Sequence, residues 1–383
     1  MKTTTHIIIA GAGGIAEAAG LLLMAWSSTP IKLYIGNRHK TKAEKVARWI
    51  NEGLPLKTLE IIPFHLDTEE VNEEMQPIFE KANAILDCLP GKLAPRIAQY
   101  AKDFNLHYAN LTEYVAETNQ IIDLAKDATT GFILQTGLAP GYINILAHYL
   151  FQEFCATHQV NEVEELAFKV GALTEHATAP HYYGFTWSPV GVATEYLKDA
   201  IAIRDYKKVT LPSLSARKTI RIDGIDYEED LTSGGAADLP DALVGKVKTL
   251  DYKTLRHPGH YAWVANQLKD QYPLKNAVRY LQEVMAKAIP HVENDQIILY
   301  ASVLGKDHQG VLRKRDLAKT IHPMKVGKHT LRAIQTTTAA PLIEAILWSI
   351  QHKVKGVILQ SQLAPKTFLT GHFVAKVYGK ITF

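Results

Sequence analysis

His6-Ile7-Ile8-Ile9-Ala10-Gly11-Ala12-Gly13-Gly14-Ile15-Ala16 joins a short apolar strand to a helix through a glycine-rich turn. The run fits the G-x-G-x-x-G/A fingerprint of dinucleotide-binding turns. Gly11 permits the tight turn, Gly13 lets the backbone approach a pyrophosphate, and the small Ala16 lets helix and strand pack closely. Gly14 and Ile15 open the helix, whose free N–H groups and positive dipole end suit phosphates. The run also has the outline of a signal-peptide core, but Lys2 alone is a thin charged leader and the turn explains the glycines better.

The residues beyond this turn strengthen the motif. Ile31 to Gly36 reads as a second strand, Thr41 to Asn51 as a basic amphipathic helix, and Leu59 to His65 as a third strand. A helix is expected from about Glu69 to Lys81, then a buried strand from Ala84 to Cys88 ended by Leu89-Pro90-Gly91. Lys92 to Asp103 reads as a helix, His107 to Asn110 as a strand, Glu113 to Lys126 as a helix and Gly131 to Leu134 as a strand. Strands alternating with helices over short links pair in parallel, with helices on both sheet faces. Right-handed crossovers then leave a doubly wound Rossmann sheet as the simplest topology.

After Gly137-Leu138-Ala139-Pro140-Gly141 the texture changes. Tyr142 to Phe154 reads as a helix, and Glu165 to Gly171 and Ile297 to Leu304 as strands. Between about Gly184 and His260, alternating stretches such as Lys218-Thr219-Ile220-Arg221-Ile222 mix with Gly/Pro turns. This predicts an α+β domain with a mixed sheet. Ala339 to His352 reads as an amphipathic helix, followed by Gly356-Val357-Ile358-Leu359. The expected division is a dinucleotide-binding domain over 1–138, an α+β substrate domain over 139–335, and a carboxyl-terminal segment over 336–383.

Composition narrows the function classes. With 42 Lys and Arg against 39 Asp and Glu over 383 residues, the net charge is +3. That argues against a nucleic-acid or polybasic membrane partner. The uncharged stretch Ala18 to Pro30 is shorter than the roughly 20 residues a membrane span needs. Two cysteines, Cys88 and Cys155, cannot staple a chain of this size, which fits a reducing cytoplasm. Asn110-Leu111-Thr112 matches a glycosylation acceptor only by chance if there is no secretory signal.

The end of the second strand bears on the coenzyme. An NAD site usually has an acid about 20 residues beyond the glycines. Here Asn37-Arg38-His39-Lys40 follows the strand, and no acid lies between Pro30 and Lys42. Arg38, with Lys40 or Lys42 near it, suits a 2′-phosphate, which favours NADP over NAD. The plainer reading is that Arg38 starts a solvated basic helix. Asp67, just past the third strand, and Cys88, Leu89 and Pro90, past the fourth, complete the expected cofactor set. Leu89-Pro90 is expected beside the ribose or nicotinamide and Cys88 as packing.

Several segments resemble the saccharopine dehydrogenase-like family, whose relatives include lysine 6-dehydrogenase, saccharopine reductase and carboxynorspermidine dehydrogenase. They are Ala84-Ile85-Leu86-Asp87-Cys88-Leu89-Pro90-Gly91, Tyr108-Ala109-Asn110-Leu111-Thr112-Glu113, Gly137-Leu138-Ala139-Pro140-Gly141, Phe185-Thr186-Trp187-Ser188-Pro189 and Tyr252-Lys253-Thr254-Leu255-Arg256-His257-Pro258-Gly259-His260. With the glycine turn they span most of the chain in the family's order. The resemblance implies oxidation of a carbon–nitrogen bond or its reverse. It also implies a homodimer and a carboxyl-terminal segment that returns to the Rossmann domain. The Asn37-Arg38 strand end looks like the NADP-using branches.

Such a reaction sets requirements. The amine must lose a proton to a base, and an amino-acid carboxylate calls for a cation, best an Arg with its two-point fork. Arg256, before the Pro258-Gly259 turn, is the expected carboxylate clamp; a surface Arg is the plain alternative. His260 is a candidate proton carrier, with an ordinary pKa near 6.5, or else a structural histidine on the following helix. Glu113 and Thr112 end the fifth strand, where open sheets bind ligands. They are expected near the amine, unless Thr112 simply caps a helix. Tyr183, with His176, His181 and Tyr182 around it, is expected to wall an aliphatic stem. The paired histidines lack a third ligand at metal spacing, so no metal is expected. Arg204 or Arg221 would add a second cation for a substrate with several carboxylates. The remaining alternative is a catalytically silent nucleotide-binding regulator on the same fold.

Overall fold

The computed structural model describes residues 4–55, 61–269 and 276–381. The chain forms two compact units, one of residues up to Tyr142 with Met324–Leu331 and everything from Gln335 onward, the other of Ile143–Pro323 with Arg332–Ile334. The hairpin Met324–Val326/His329–Leu331 falls in the first unit, where the sequence reading assigns it to the second domain. The reason is local: the His329 ring stacks on Trp49 at 4.1 Å and hydrogen-bonds the Trp49 carbonyl.

The first unit opens with β1 (Thr5–Ala10), α1 (Gly14–Trp26), β2 (Ile31–Asn37), α2 (Lys40–Gly53) and β3 (Ile61–His65). After a short helix α3 (Gln76–Phe79) come β4 (Ala84–Asp87), α4 (Ala94–Asp103), β5 (His107–Asn110), α5 (Val115–Ala125) and β6 (Gly131–Ile133). The order across the sheet is β3-β2-β1-β4-β5-β6, all parallel, closed at the β6 edge by the late strand Gly356–Ile358. That is the doubly wound Rossmann order, with its reversal between β1 and β4. Ile7, Ile8 and Ile9 are all fully buried, because a central parallel strand is covered on both faces.

Most boundaries differ from the sequence reading by a few residues, and two differences in this unit have a visible cause. The helix expected over 69–81 is reduced to α3. The Asp67 carboxylate accepts from the Glu69 N–H at 2.8 Å, and Asn72 Oδ1 accepts from the N–H groups of Glu74 and Met75. Such side chains offer the backbone turns in place of a helix. α5 begins at Val115, not Glu113, because Thr112 Oγ1 accepts from the Tyr114 N–H and makes a turn there. The part of the third strand expected at 59–60 lies outside the described residues.

The second unit contains α6 (Tyr142–His158), which the chain enters from the first, then β7 (Val163–Thr174) and α7 (Pro189–Leu197). The hairpin β8 (Ala200–Arg204) and β9 (Lys207–Leu211) precedes β10 (Lys218–Ile222), β11 (Ile225–Leu231), α8 (Leu239–Leu243) and β12 (Val247–Arg256). α9 (His260–Leu268), α10 (Ala277–Ala288), β13 (Asp295–Lys306) and β14 (Leu312–Ile321) follow. The sheet order is β10-β11-β12-β7-β13-β14, with β8 also pairing to β12. Only β12 and β7 run parallel, so the sheet is mixed. α7, α9 and α10 share a core of Val192, Tyr196, Tyr261, Val264, Leu281 and Met285.

The helix expected from Ala339 begins at Ala333. Its first N–H groups, at Ala333 and Ile334, donate to the Asp295 carboxylate at 2.7 and 2.8 Å. Among the described residues no helix is long and apolar enough to cross a membrane.

Candidate functional site

The glycine turn lies at the carboxyl end of β1. Gly11 has φ +126, a conformation that disfavours any side chain, and a Cβ there would sit 3.0 Å from the Cys88 carbonyl oxygen. Gly13 caps α1 with extended backbone and no side-chain cap. A Cβ on Gly13 would meet nothing within 4 Å, so open space faces the first N–H groups of the helix. Gly14 and Ile15 are partly exposed beside it, and Ala16 is buried against the sheet. Gln335 donates to the Gly14 carbonyl at 2.8 Å and fixes the start of α1. A tight turn, an open approach and unfilled helix donors fit a dinucleotide pyrophosphate.

At the end of β2, Asn37 Oδ1 accepts from the His39 N–H at 3.0 Å. Arg38 is exposed and, among the described residues, forms no ion pair, whereas Lys40 is drawn to Glu74. Asp67 stands just past β3 with its carboxylate in a local turn. Past β4, the Cys88 N–H donates to the Ala10 carbonyl and the Leu89 N–H to Asp87 Oδ1 at 3.0 Å. Burial, helped by Asp87, pushes the Cys88 thiol up, so it stays protonated. Pro90 leads into a single 3-10 turn.

Beneath this loop lies a buried polar cluster that sequence reasoning did not assemble. The Tyr108 hydroxyl donates to Asp87 Oδ2 at 2.7 Å, and Asn110 Nδ2 donates to the Tyr108 oxygen at 3.3 Å. Asp87 is 2% exposed. Burial raises its pKa from 3.8 to about 6, against the opposing pull of the Leu89 N–H and the Tyr108 hydroxyl. Thr112 is buried just beyond β5, and Glu113 follows it, partly exposed.

The second unit holds its own polar centre, at the carboxyl end of β12. Arg256 is 1% exposed and always charged. Its Nε donates to the Tyr196 hydroxyl at 2.5 Å and Nη1 to the Leu255 carbonyl at 2.9 Å. The guanidinium lies 4.8 Å from the Tyr183 ring centre and 5.4 Å from that of Tyr196, with Glu195 Oε2 at 3.9 Å. His260 opens α9, fully buried, with Nδ1 2.7 Å from the His181 carbonyl and Nε2 3.0 Å from the Tyr196 hydroxyl. A carbonyl only accepts, so Nδ1 carries the proton and Nε2 accepts from Tyr196. Arg256, Tyr196, His260 and the His181 carbonyl therefore form one directed chain. Burial, followed by the Arg256 charge, lowers the His260 pKa to about 3. Both of its ring nitrogens are engaged.

Arg204 and Arg221 do not join this centre. Arg204 pairs with Asp251 at 2.7 Å, opposite Thr249, seven residues or about 23 Å along β12 from Arg256. Arg221 forks onto Asp226 at the surface. Tyr196 and Glu195 went unremarked in the sequence. Their signal was Ser188-Pro189, a helix start whose Ser188 Oγ accepts from the Gly191 N–H, which carries α7 as far as Leu197. Among the described residues no three His, Cys, Asp or Glu side chains gather to hold a metal.

A parallel Rossmann unit with an open glycine turn, in a chain that also carries a mixed-sheet unit, defines a dinucleotide-binding class of protein. The family models carry this further: saccharopine dehydrogenase NADP binding domain matches residues 7–134, and saccharopine dehydrogenase C-terminal domain matches residues 137–374. The chain belongs to the saccharopine dehydrogenase family of oxidoreductases. It is 23% identical over 217 residues to the mitochondrial alpha-aminoadipic semialdehyde synthase of Mus musculus, covering 55% of this chain and 22% of that protein. The Bos taurus counterpart is 22% identical over 211 residues, or 55% of this chain and 21% of its own length. The chain thus matches about a fifth of these curated relatives. In structure it is similar to apo saccharopine dehydrogenase (L-Glu forming) from Saccharomyces cerevisiae, with TM-score 0.77, 14% identity and 98% of each chain covered. It is also similar to homospermidine synthase from Legionella pneumophila in complex with NAD, with TM-score 0.67, 13% identity, and 99% of this chain and 91% of that one covered.

Proposed function

We propose that the protein is an NAD(P)-dependent dehydrogenase acting on a carbon–nitrogen bond of an amino acid or amine. The observation that carries this reading is the open Gly11–Gly13 turn ahead of α1, in a chain of the saccharopine dehydrogenase family. A nicotinamide coenzyme, held by the Gly11–Gly13 turn and the α1 N–H groups, would supply the hydride chemistry at the amine-bearing carbon. Everything else falls to the chain. The α1 N–H groups hold the diphosphate, and Arg38 holds a 2′-phosphate, which favours NADP. Glu113 holds the proton that leaves the substrate amine, and Thr112 hydrogen-bonds the same group. Arg256 holds a substrate carboxylate, within the walls that Tyr183 and Tyr196 give it. His260, neutral and doubly engaged, serves as a positioning residue that fixes Tyr196 and so the fork of Arg256. The protein works as a homodimer in the cytoplasm on this reading.

The test is a record of absorbance at 340 nm with NADP and NAD against lysine, saccharopine, ornithine and polyamine conjugates, alongside calorimetry of coenzyme binding. Turnover of one substrate supports the reading. Silence with tight coenzyme binding replaces it by the regulatory alternative, and failure of well-folded protein to take up either coenzyme overturns both.

A further inference from the structure

Resting on the coenzyme reading, we infer that Gln135 is a coenzyme-contacting residue whose side-chain carboxamide pairs with the carboxamide of the nicotinamide. Gln135 stands two residues past the end of β6, at the carboxyl edge of the parallel sheet. Its φ is +57, in the left-handed region that a long non-glycine side chain seldom adopts. Three contacts hold that unfavourable backbone. The Gln135 N–H donates to Asn110 Oδ1 at 2.8 Å, Gln360 Nε2 donates to the Gln135 carbonyl at 2.7 Å, and the neighbouring Thr136 N–H donates to the Asn110 carbonyl at 2.9 Å. Asn110 is in turn bonded to Tyr108, and Tyr108 to Asp87. A buried network thus enforces a conformation that the local chain would avoid, which is a mark of functional positions.

The side chain itself is the second observation. Gln135 is 5% exposed, yet among the described residues its carboxamide makes no hydrogen bond. Buried polar side chains are nearly always paired, and the adjoining Asp87, Tyr108 and Asn110 are. A carboxamide offers two donors and an acceptor in one plane. A phosphate or carboxylate would use only the donors, whereas another carboxamide uses both kinds. The sheet says which half of a dinucleotide comes here. The diphosphate belongs at the end of β1, and the ribose whose 2′ position is read at the end of β2 occupies the β1–β3 half. The nicotinamide half is left for β4 to β6, where Gln135 stands.

The experiment is a binding cycle read by isothermal titration calorimetry, without turnover. NADP is compared with its 3-acetylpyridine analogue, in which a methyl group replaces the amide nitrogen. The intact protein is expected to bind the analogue about tenfold more weakly, the value of one hydrogen bond. In Gln135→Leu, NADP is expected to weaken by about the same factor, and the difference between the two ligands to fall below about twofold. Gln135→Gly, which relieves the left-handed backbone, repeats the measurement should the Leu variant fold poorly. A variant that still discriminates tenfold, or an intact protein that binds both ligands equally, overturns the inference. An intact protein that binds neither is titrated with NAD and its 3-acetylpyridine analogue in the same cycle, and failure with these as well overturns the coenzyme reading beneath it, a separate result.

Discussion

Each unit buries a charged centre, but the two charges behave differently. In the parallel unit it is a carboxylate, Asp87, whose pKa near 6 lets it lose its charge in mild acid. In the mixed unit it is the guanidinium of Arg256, which never loses its charge, wired through Tyr196 to a histidine that resists gaining one. One centre adjusts to pH and the other has a fixed charge that its surroundings must accommodate. The contrast is one of chemistry: a carboxylate can shed its charge by taking a proton, and a guanidinium cannot.

The largest expected effect breaks the fixed centre. Arg256→Met leaves Glu195 facing a buried site without its cation and should cost about 3–5 kcal/mol in urea unfolding. It should also abolish substrate binding while coenzyme affinity stays. An unchanged unfolding midpoint would remove Arg256 from the role of charge anchor.

The adjustable centre has the opposite signature. The folded pKa of Asp87 lies above its unfolded one, so its stabilising contribution is complete below pH 3.8 and disappears as pH rises to about 6. The rise corresponds to about 3 kcal/mol. Asp87→Asn, which cannot ionise, should lack that loss, and unfolding free energies at pH 4.5 and 8 measure it. Parallel pH profiles for the two proteins would contradict the buried carboxylate.

His260 runs the other way. Its folded pKa of about 3 lies below the ordinary 6.5, so the stability it confers is present above pH 6.5 and declines as pH falls toward 3. Between pH 7 and 5 that amounts to about 2 kcal/mol. Hydrogen exchange should show β12 and α9 opening more readily at pH 5, and His260→Gln should flatten the response. The same acidification that suits Asp87 burdens His260, so equal behaviour of the two units would erase the contrast.

The smallest effect falls on exposed Arg38. Arg38→Ala should weaken NADP about tenfold and NAD by less than about twofold, with no change in stability. Equal losses would deny it the 2′-phosphate.

Much of the parallel unit was legible because it rests on local signals. The run from His6 to Ala16 contains its strand, its turn and its helix start in eleven residues. What was missed depends on distant partners. The helix beginning at Ala333 is capped by Asp295, and no nearby residue announces it. Arg256 looked like a clamp from its motif, but its wiring to Tyr196, sixty positions earlier in sequence, exists only once β12 and α7 have packed. Side-chain turns at Asp67 and Asn72 defeated a helix that periodicity favoured. Gln135 carried no pattern at all, since neither its backbone conformation nor its lack of a partner is written in residue type.

The strand Gly356–Ile358 pairs with β6 in parallel register, and Gln360 just after it grips the carbonyls of Leu134 and Gln135. During synthesis, the β6 edge therefore leaves the ribosome more than 200 residues before the strand that covers it. A nascent chain must carry that uncovered edge, a ready template for stray pairing, through translation of the entire second unit. The parallel sheet is thereby closed only after the chain of the second unit has been made.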